Sequence, residues 1–342
     1  MDLIATIGPS SWDREVIAAH LRLGVKCIRF PFSKLRPDDH VARCRLVRDI
    51  ADALGVGVLT MADIPGGKPR LNANGPVDVE SGRPYRIALG RARCDADDFW
   101  LDPGLPAVSF RSGDQIFIGD GENRFTVCET SADRLIGTFA TPGRMEWRRA
   151  FIPIGMDLQV PTFTERDKAY AAFAHAARFD WVALSFVSSS EDVLAARAWL
   201  LEHLDWAPCL VAKIETMAAV RNVDAIARTA DAVMIARGDL ALQIGFAALW
   251  SAQKSIIDAC ARAGTYCIAA TGFLESLASH PTPTRAECID FCSTLAMGAP
   301  AILFTTETSI GKNPIVVIET ALRLAESWTH SCGDTRQALH AV

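Results

Sequence analysis

Two short segments carry the groups most able to do chemistry, Val211 to Glu215 (VAKIE) and Met234 to Asp239 (MIARGD). Each is an apolar run that ends abruptly in charge. A strand covered on both faces explains the apolar half, because such a strand needs no alternation. Packing does not explain Lys213, Glu215 and Asp239 at the far ends, since unpaired charge is costly to bury. Two carboxylates are hard oxygen ligands of the kind a divalent cation takes. An ammonium beside them suits an anionic ligand.

The elements that must position these residues read as a repeat. Short apolar runs occur at 3–7, 25–30, 57–61, 181–186, 210–214, 232–235, 266–270 and 301–304. Amphipathic helical patterns fill most of the gaps, at 13–23, 38–54, 191–201, 249–263, 284–297 and 314–327. Gly24, Gly264 and Gly298 stand where left-handed helix caps belong. Eight strands with intervening helices predict an α/β chain folded as a parallel (β/α)8 TIM barrel. Residues 71–148 break the pattern with short alternating runs at 85–89, 107–110, 115–118 and 124–128, and a Gly119-Asp120-Gly121 hairpin turn. They read as a small all-β cap domain inserted after strand three. The barrel then comprises 1–70 and 149–342. In this fold the chemistry sits at the C-terminal strand ends. Those ends carry Arg29, Ser33, Asp63, Ser185, Lys213, Glu215, Arg237 to Asp239, Thr271 and Glu307.

The bulk properties restrict partners. Half of the 342 residues are hydrophobic, which excludes disorder as the main state. A net charge of −5 argues against nucleic acid or an anionic membrane as the main partner. The ten cysteines form no C-x-x-C pair, and Cys288 and Cys292 have no second pair to complete a zinc site. The N-terminus lacks a basic leader and no apolar stretch reaches a membrane span. The expectation is a cytoplasmic protein with reduced thiols.

The motifs, taken in order, resemble those of the pyruvate kinases. Ala5 to Ser11 (ATIGPSS) is similar to that family's opening strand and turn, and Pro281 to Glu287 (PTPTRAE) to its helix-entry segment. Asp157 to Asp167 resembles its return into the barrel. Lys213 to Glu215, Ala236 to Leu240, and Gly113 to Ile116 with Asp120 and Gly121 match its most specific motifs. The chain resembles a short form, without the family's C-terminal effector domain. The resemblance implies a site for phosphoenolpyruvate or pyruvate. Glu215 and Asp239 would hold Mg²⁺ or Mn²⁺. Lys213 would offset charge on the transferring phosphoryl group and enolate oxygen. Gly238 and Asp239 amides would receive the substrate carboxylate, with Ser185 and Thr271 also in contact with substrate. Thr271 would orient proton delivery, and Arg29 would touch the phosphoryl group. Arg70, Asp120 and Arg166 would serve the phosphates of ADP. Glu275 and Glu307 would fix Thr271 and its surroundings. The alternative for Arg29 and Asp63 is a plain ion pair across adjacent strands.

Departures from the family pattern cluster on the nucleotide and monovalent-cation side. Pro31 and Ile64 remove cation contacts, and Lys34 replaces a histidine. Lys68 falls where potassium-dependent members carry glutamate, so its ammonium is expected to serve as an internal cation and K⁺ is not expected to be required. Gly119, Gln243, Gly272, Thr305, Thr306 and Ile310 are further changes. A pyruvate kinase-like phosphotransferase with ADP or another acceptor is therefore the leading expectation. A metal-dependent pyruvate-enolate lyase, acting as aldolase or decarboxylase, is one alternative, and a non-catalytic binding relative the other. A homodimer through the barrel is compatible with all three.

Overall fold

A computed structural model describes residues 1–90, 97–105, 110–146, 148–156 and 160–339. Eight parallel strands close a barrel: β1 (Asp2–Thr6), β2 (Cys27–Pro31), β3 (Leu59–Ile64), β4 (Trp181–Leu184), β5 (Cys209–Ile214), β6 (Ala232–Ala236), β7 (Tyr266–Ala270) and β8 (Ala301–Phe304). Each pairs with its neighbour in sequence, and β1 pairs with β8 to shut the ring. The expected α/β barrel is thus present, with strand bounds within a few residues of the apolar runs.

Strand alternation decides which side chains reach the lumen. Ile4, Cys27, Met61, Ala183, Val211, Met234, Ile268 and Leu303 pack inside the ring. Their odd-numbered or even-numbered neighbours face outward against the helices, as Ile28, Ala62, Val182, Leu210, Val233 and Ile302 do. The lumen residue two places further along each strand then stands at the C-terminal rim. Thr6, Arg29, Asp63, Ser185, Lys213 and Thr305 occupy those positions. A register slip of one residue would turn every one of them outward.

Helix ends follow local chemistry. Thr164, Ser189 and Thr284 each open a helix with a reciprocal capping box, closed by Asp167, Asp192 and Glu287. Gly24, Gly264 and Gly298 all take positive φ, as their position after helices requires. The last helix continues past Ser327 to Leu339. Two helices between β5 and β6, Met217–Arg221 and Val223–Thr229, were not anticipated; they meet at Asn222, which breaks the periodic pattern.

Between β3 and β4 the chain builds a second closed sheet. Its strands are Arg70–Asn72, Pro84–Ala88, Phe99–Asp102, Gln115–Ile118, Asn123–Thr130, Arg134–Phe139 and Arg149–Pro153. Its core holds Tyr85, Ile87, Phe99, Ile116, Phe125, Leu135, Phe139 and Phe151. The run expected at 107–110 lies outside the described residues, apart from Phe110, which is not in a strand. The expected boundary at 70/71 falls inside the strand Arg70–Asn72 and that at 148/149 immediately before Arg149–Pro153, and these two strands pair with each other, Arg149 against Leu71 and Ala150 against Arg70. The outgoing and returning strands therefore both belong to the second sheet, because each satisfies its backbone groups on the other. No described helix is long and apolar enough to cross a membrane.

Candidate active site

Lys213 sits at the centre of the rim. Its ammonium lies 3.0 Å from Glu215 Oε1 and 3.2 Å from Asp63 Oδ1, and donates to Ser185 Oγ at 2.8 Å. Asp63 in turn accepts from Arg29 Nε at 2.7 Å, and Arg29 Nη1 donates to Thr6 Oγ1 at 3.1 Å. Burial works against the Lys213 charge, but Asp63 and Glu215 outweigh it and hold the pKa above the ordinary lysine value. Burial also opposes the Asp63 charge, and Lys213 and Arg29 reverse that, so Asp63 stays ionised. The Ser185 hydroxyl donates to the Ile64 carbonyl at 2.7 Å, which leaves its oxygen free to accept from Lys213.

Glu215 is the group under electrostatic load. Burial pushes its carboxyl above the ordinary range, Lys213 pulls it back, and Asp239 pushes it up again. Its Oε2 accepts the Phe186 amide at 2.8 Å, and Phe186 itself holds a positive φ of 59° to present that N–H. Asp239 lies in the first turn of the helix Arg237–Ile244 that leaves β6. Burial opposes its charge and Lys68, ion-paired to Oδ1, lowers its pKa below the ordinary value. Two neighbouring carboxylates, one strained by the charge of the other, form a donor set that a hard divalent cation would relieve. Mg²⁺ characteristically takes only one or two protein carboxylates and fills its remaining positions with water and substrate oxygens. The residues present fit such an ion.

These groups open on a cavity of about 710 Å³. Arg29, Lys213, Glu215, Gly238, Asp239, Thr271, Glu275, Thr305 and Asp120 contribute to its lining. The volume is that of a small-molecule site. Ser185 is not part of the lining; its contact is with the Lys213 ammonium. Thr271 follows β7 with φ of +76°, an uncommon backbone state for a β-branched residue. Gly238 faces it, and a Cβ there would come within 3.2 Å of Thr271 Cγ2.

A sequence model of the family described as "Pyruvate kinase, barrel domain" matches residues 1–318. The chain belongs to the pyruvate kinase family. A pyruvate kinase of Agrobacterium vitis is 31% identical over 330 residues, covering 95% of this chain and 67% of the relative. One from Mycobacterium tuberculosis is 30% identical over 324 residues, covering 94% and 68%. Pyruvate kinase 2 of Synechocystis is 31% identical, covering 95% and 56%.

Within this family member the candidate nucleotide side is organised around Arg70. Burial lowers its pKa, Asp239 and Asp120 oppose that, and Arg148 and Arg166 add to it. Arg70, Asp120 and Arg166 are therefore in one electrostatic neighbourhood, joined by Arg148, which the sequence did not single out. Arg166 is also tied to Tyr170 through a 2.8 Å hydrogen bond. The Gly119–Gly121 turn joins two antiparallel strands as expected and lies against Leu242, which a Cβ on Gly121 would meet at 3.1 Å.

Glu275 and Glu307 depart from expectation. Neither hydrogen-bonds Thr271. Glu307 is wholly buried and accepts from the Thr305 amide at 2.6 Å, while its Oε1 has no partner. Burial pushes its carboxyl up to about 7. The Thr271 loop is held instead by Arg237, whose long-range partners no local pattern announced.

Proposed function

We propose that this chain transfers a phosphoryl group between phosphoenolpyruvate and ADP, at the rim where Lys213, Glu215 and Asp239 meet. The observation that carries the reading is the Lys213 ammonium, kept charged by Asp63 and Glu215 while facing the cavity. Glu215 and Asp239 would hold Mg²⁺ or Mn²⁺, which supplies Lewis acidity toward the oxygens of a keto acid. Lys213 and Arg29 offset negative charge on the transferring phosphoryl group and the enolate oxygen, the kind of electrostatic work that dominates phosphoryl transfer. The first-turn amides at Gly238 and Asp239 receive the substrate carboxylate. Thr271 places its hydroxyl beside the methylene carbon, where a proton arrives as the enolate becomes pyruvate.

The acceptor side rests on Arg70, Asp120 and Arg166. The second sheet serves as a cap, set by the Asp120 turn against Leu242 so that closure excludes water from the reacting groups. Lys68, through its ion pair to Asp239, takes the place of a monovalent cation, so turnover needs no K⁺.

The test is pyruvate formation from phosphoenolpyruvate and ADP with Mg²⁺ and without K⁺, followed by lactate dehydrogenase coupling. Turnover under those conditions is the expected result. Absence of pyruvate with every nucleoside diphosphate, in a preparation that still exchanges deuterium into the pyruvate methyl group, would move the assignment to an enolate lyase.

A further inference from the structure

Arg237 lies in the sequence motif beside the candidate metal ligand, yet its side chain turns away from Glu215 and Asp239. It is 8% exposed and reaches three consecutive residues of the loop after β7. Nε donates to the Thr271 carbonyl at 2.8 Å. The guanidinium carbon stands 3.6 Å over the Phe273 ring. Nη2 lies 3.4 Å from where a Cβ on Gly272 would be. The far edge of the guanidinium is gripped by Asp290, with Nη1 at 3.0 Å from Oδ1 and Nη2 at 2.8 Å from Oδ2.

The loop that Arg237 grips is the most contorted part of the rim. Thr271, Gly272 and Leu274 have φ of 76°, 78° and 54°. A β-branched residue in that region persists only where its surroundings over-determine it. The Thr271 side chain borders the cavity, and among the described residues its hydroxyl makes no hydrogen bond. Nothing bonded to the hydroxyl aims it; the backbone does. Arg237 fixes that backbone at the Thr271 carbonyl, and Asp290 fixes Arg237.

We propose that Arg237, braced by Asp290, is a positioning residue for proton delivery: it clamps Thr271 in the left-handed state so that its hydroxyl faces the carbon that gains a proton. The proposal rests on the phosphotransferase reading and divides the site into two functions. Lys213, Arg29, Glu215 and Asp239 handle charge and binding. The Arg237 clamp handles the geometry of the proton. A planar fork makes all these contacts at once, whereas a lysine ammonium reaches one or two of them.

The experiment compares wild type with Arg237→Lys and Asp290→Asn in three readouts: kcat and KM for phosphoenolpyruvate, exchange of solvent deuterium into the pyruvate methyl group, and the thermal midpoint with and without Mg²⁺. Both variants are expected to lose roughly 10- to 100-fold in kcat and in exchange, the scale of a small misplacement of a reacting group. KM for phosphoenolpyruvate and the Mg²⁺-induced midpoint shift stay within about threefold and unchanged, respectively, because the Arg237 side chain contacts neither the carboxylates of Glu215 and Asp239 nor Lys213. Should Arg237→Lys fail to fold, Asp290→Asn carries the test, since it keeps the shape of the brace and removes its charge. An active wild type whose folded variants keep kcat and exchange overturns the clamp alone. Variants that lose phosphoenolpyruvate or Mg²⁺ binding in step with kcat also overturn it, assigning Arg237 to general integrity of the rim. A wild type silent in both turnover and exchange overturns the functional reading, and the clamp with it.

Discussion

Replacing Lys213 with methionine perturbs the group on which the rim depends. The ammonium stands 3.0 Å from one carboxylate and 3.2 Å from another. At an effective dielectric of about 20, each contact corresponds to about 5 kcal/mol of attraction. Desolvation of the buried charges, several kcal/mol per ion, consumes much of that. What a variant reports is the cost of leaving partners behind, about 3–5 kcal/mol for a buried pair broken on one side. Glu215 softens the loss, because its pKa is already raised and it can neutralise itself by taking up a proton. Set against a total stability of about 5–15 kcal/mol, Lys213→Met should lower the urea midpoint by about 1 M. Removing the charge that faces the cavity should also cost about 10²–10³-fold in kcat. Urea titration and the coupled pyruvate assay measure the two effects on the same preparation. A Lys213→Met protein with the wild-type midpoint, or one that turns over within about threefold of wild type, would refute the reasoning.

Other perturbations follow from the same geometry. The Glu307 carboxyl, pushed up from 4.5 to about 7, binds its proton more tightly folded than unfolded. The stability it lends is complete below about 4.5 and is lost as pH rises through about 7; Glu307→Gln should flatten that slope and be the more stable protein at pH 8 by up to about 3 kcal/mol, read from denaturation at several pH values. Lys68→Glu places a carboxylate against Asp239, so turnover should collapse without K⁺ and return as K⁺ is titrated in; activity indifferent to K⁺ in that variant would count against Lys68 as the internal cation. Gln243 donates to the Pro153 and Met156 carbonyls at 2.9 and 2.8 Å. Gln243→Glu turns both donations into oxygen facing oxygen, at about 1–3 kcal/mol for each orphaned carbonyl, and amide exchange across Arg149–Met156 should accelerate.

The rim was legible because strand alternation is strict. Once Val211 is read as a lumen residue, Lys213 and Glu215 must follow it to the rim, and the same counting places Arg29 and Asp63. The partners were less legible. Asp63 serves Arg29 and Lys213 together, so the plain ion pair and the site role hold at once. The family pattern places Ser185 at the substrate, but its hydroxyl is taken by Lys213 and Ile64, a long-range fact no local spacing carries. The strain at Thr271 was invisible, since a threonine after a strand predicts an extended backbone. The three-residue strands Arg70–Asn72 and Val77–Val79 were missed because so short a run has no period to read. The family pattern points Glu307 at Thr271, whereas in the fold its carboxylate is buried against Thr305.

Lys68 and Arg70 sit two residues apart on the segment where the chain leaves one barrel and enters the other. The first grips Asp239; the second opens the strand hydrogen-bonded to the returning strand Arg149–Pro153. A single short segment thus joins the outer sheet to the Asp239 carboxylate of the rim. The join between the two sheets and the ion pair to Asp239 are made by the same three residues of chain, so a substitution in either position is felt at both.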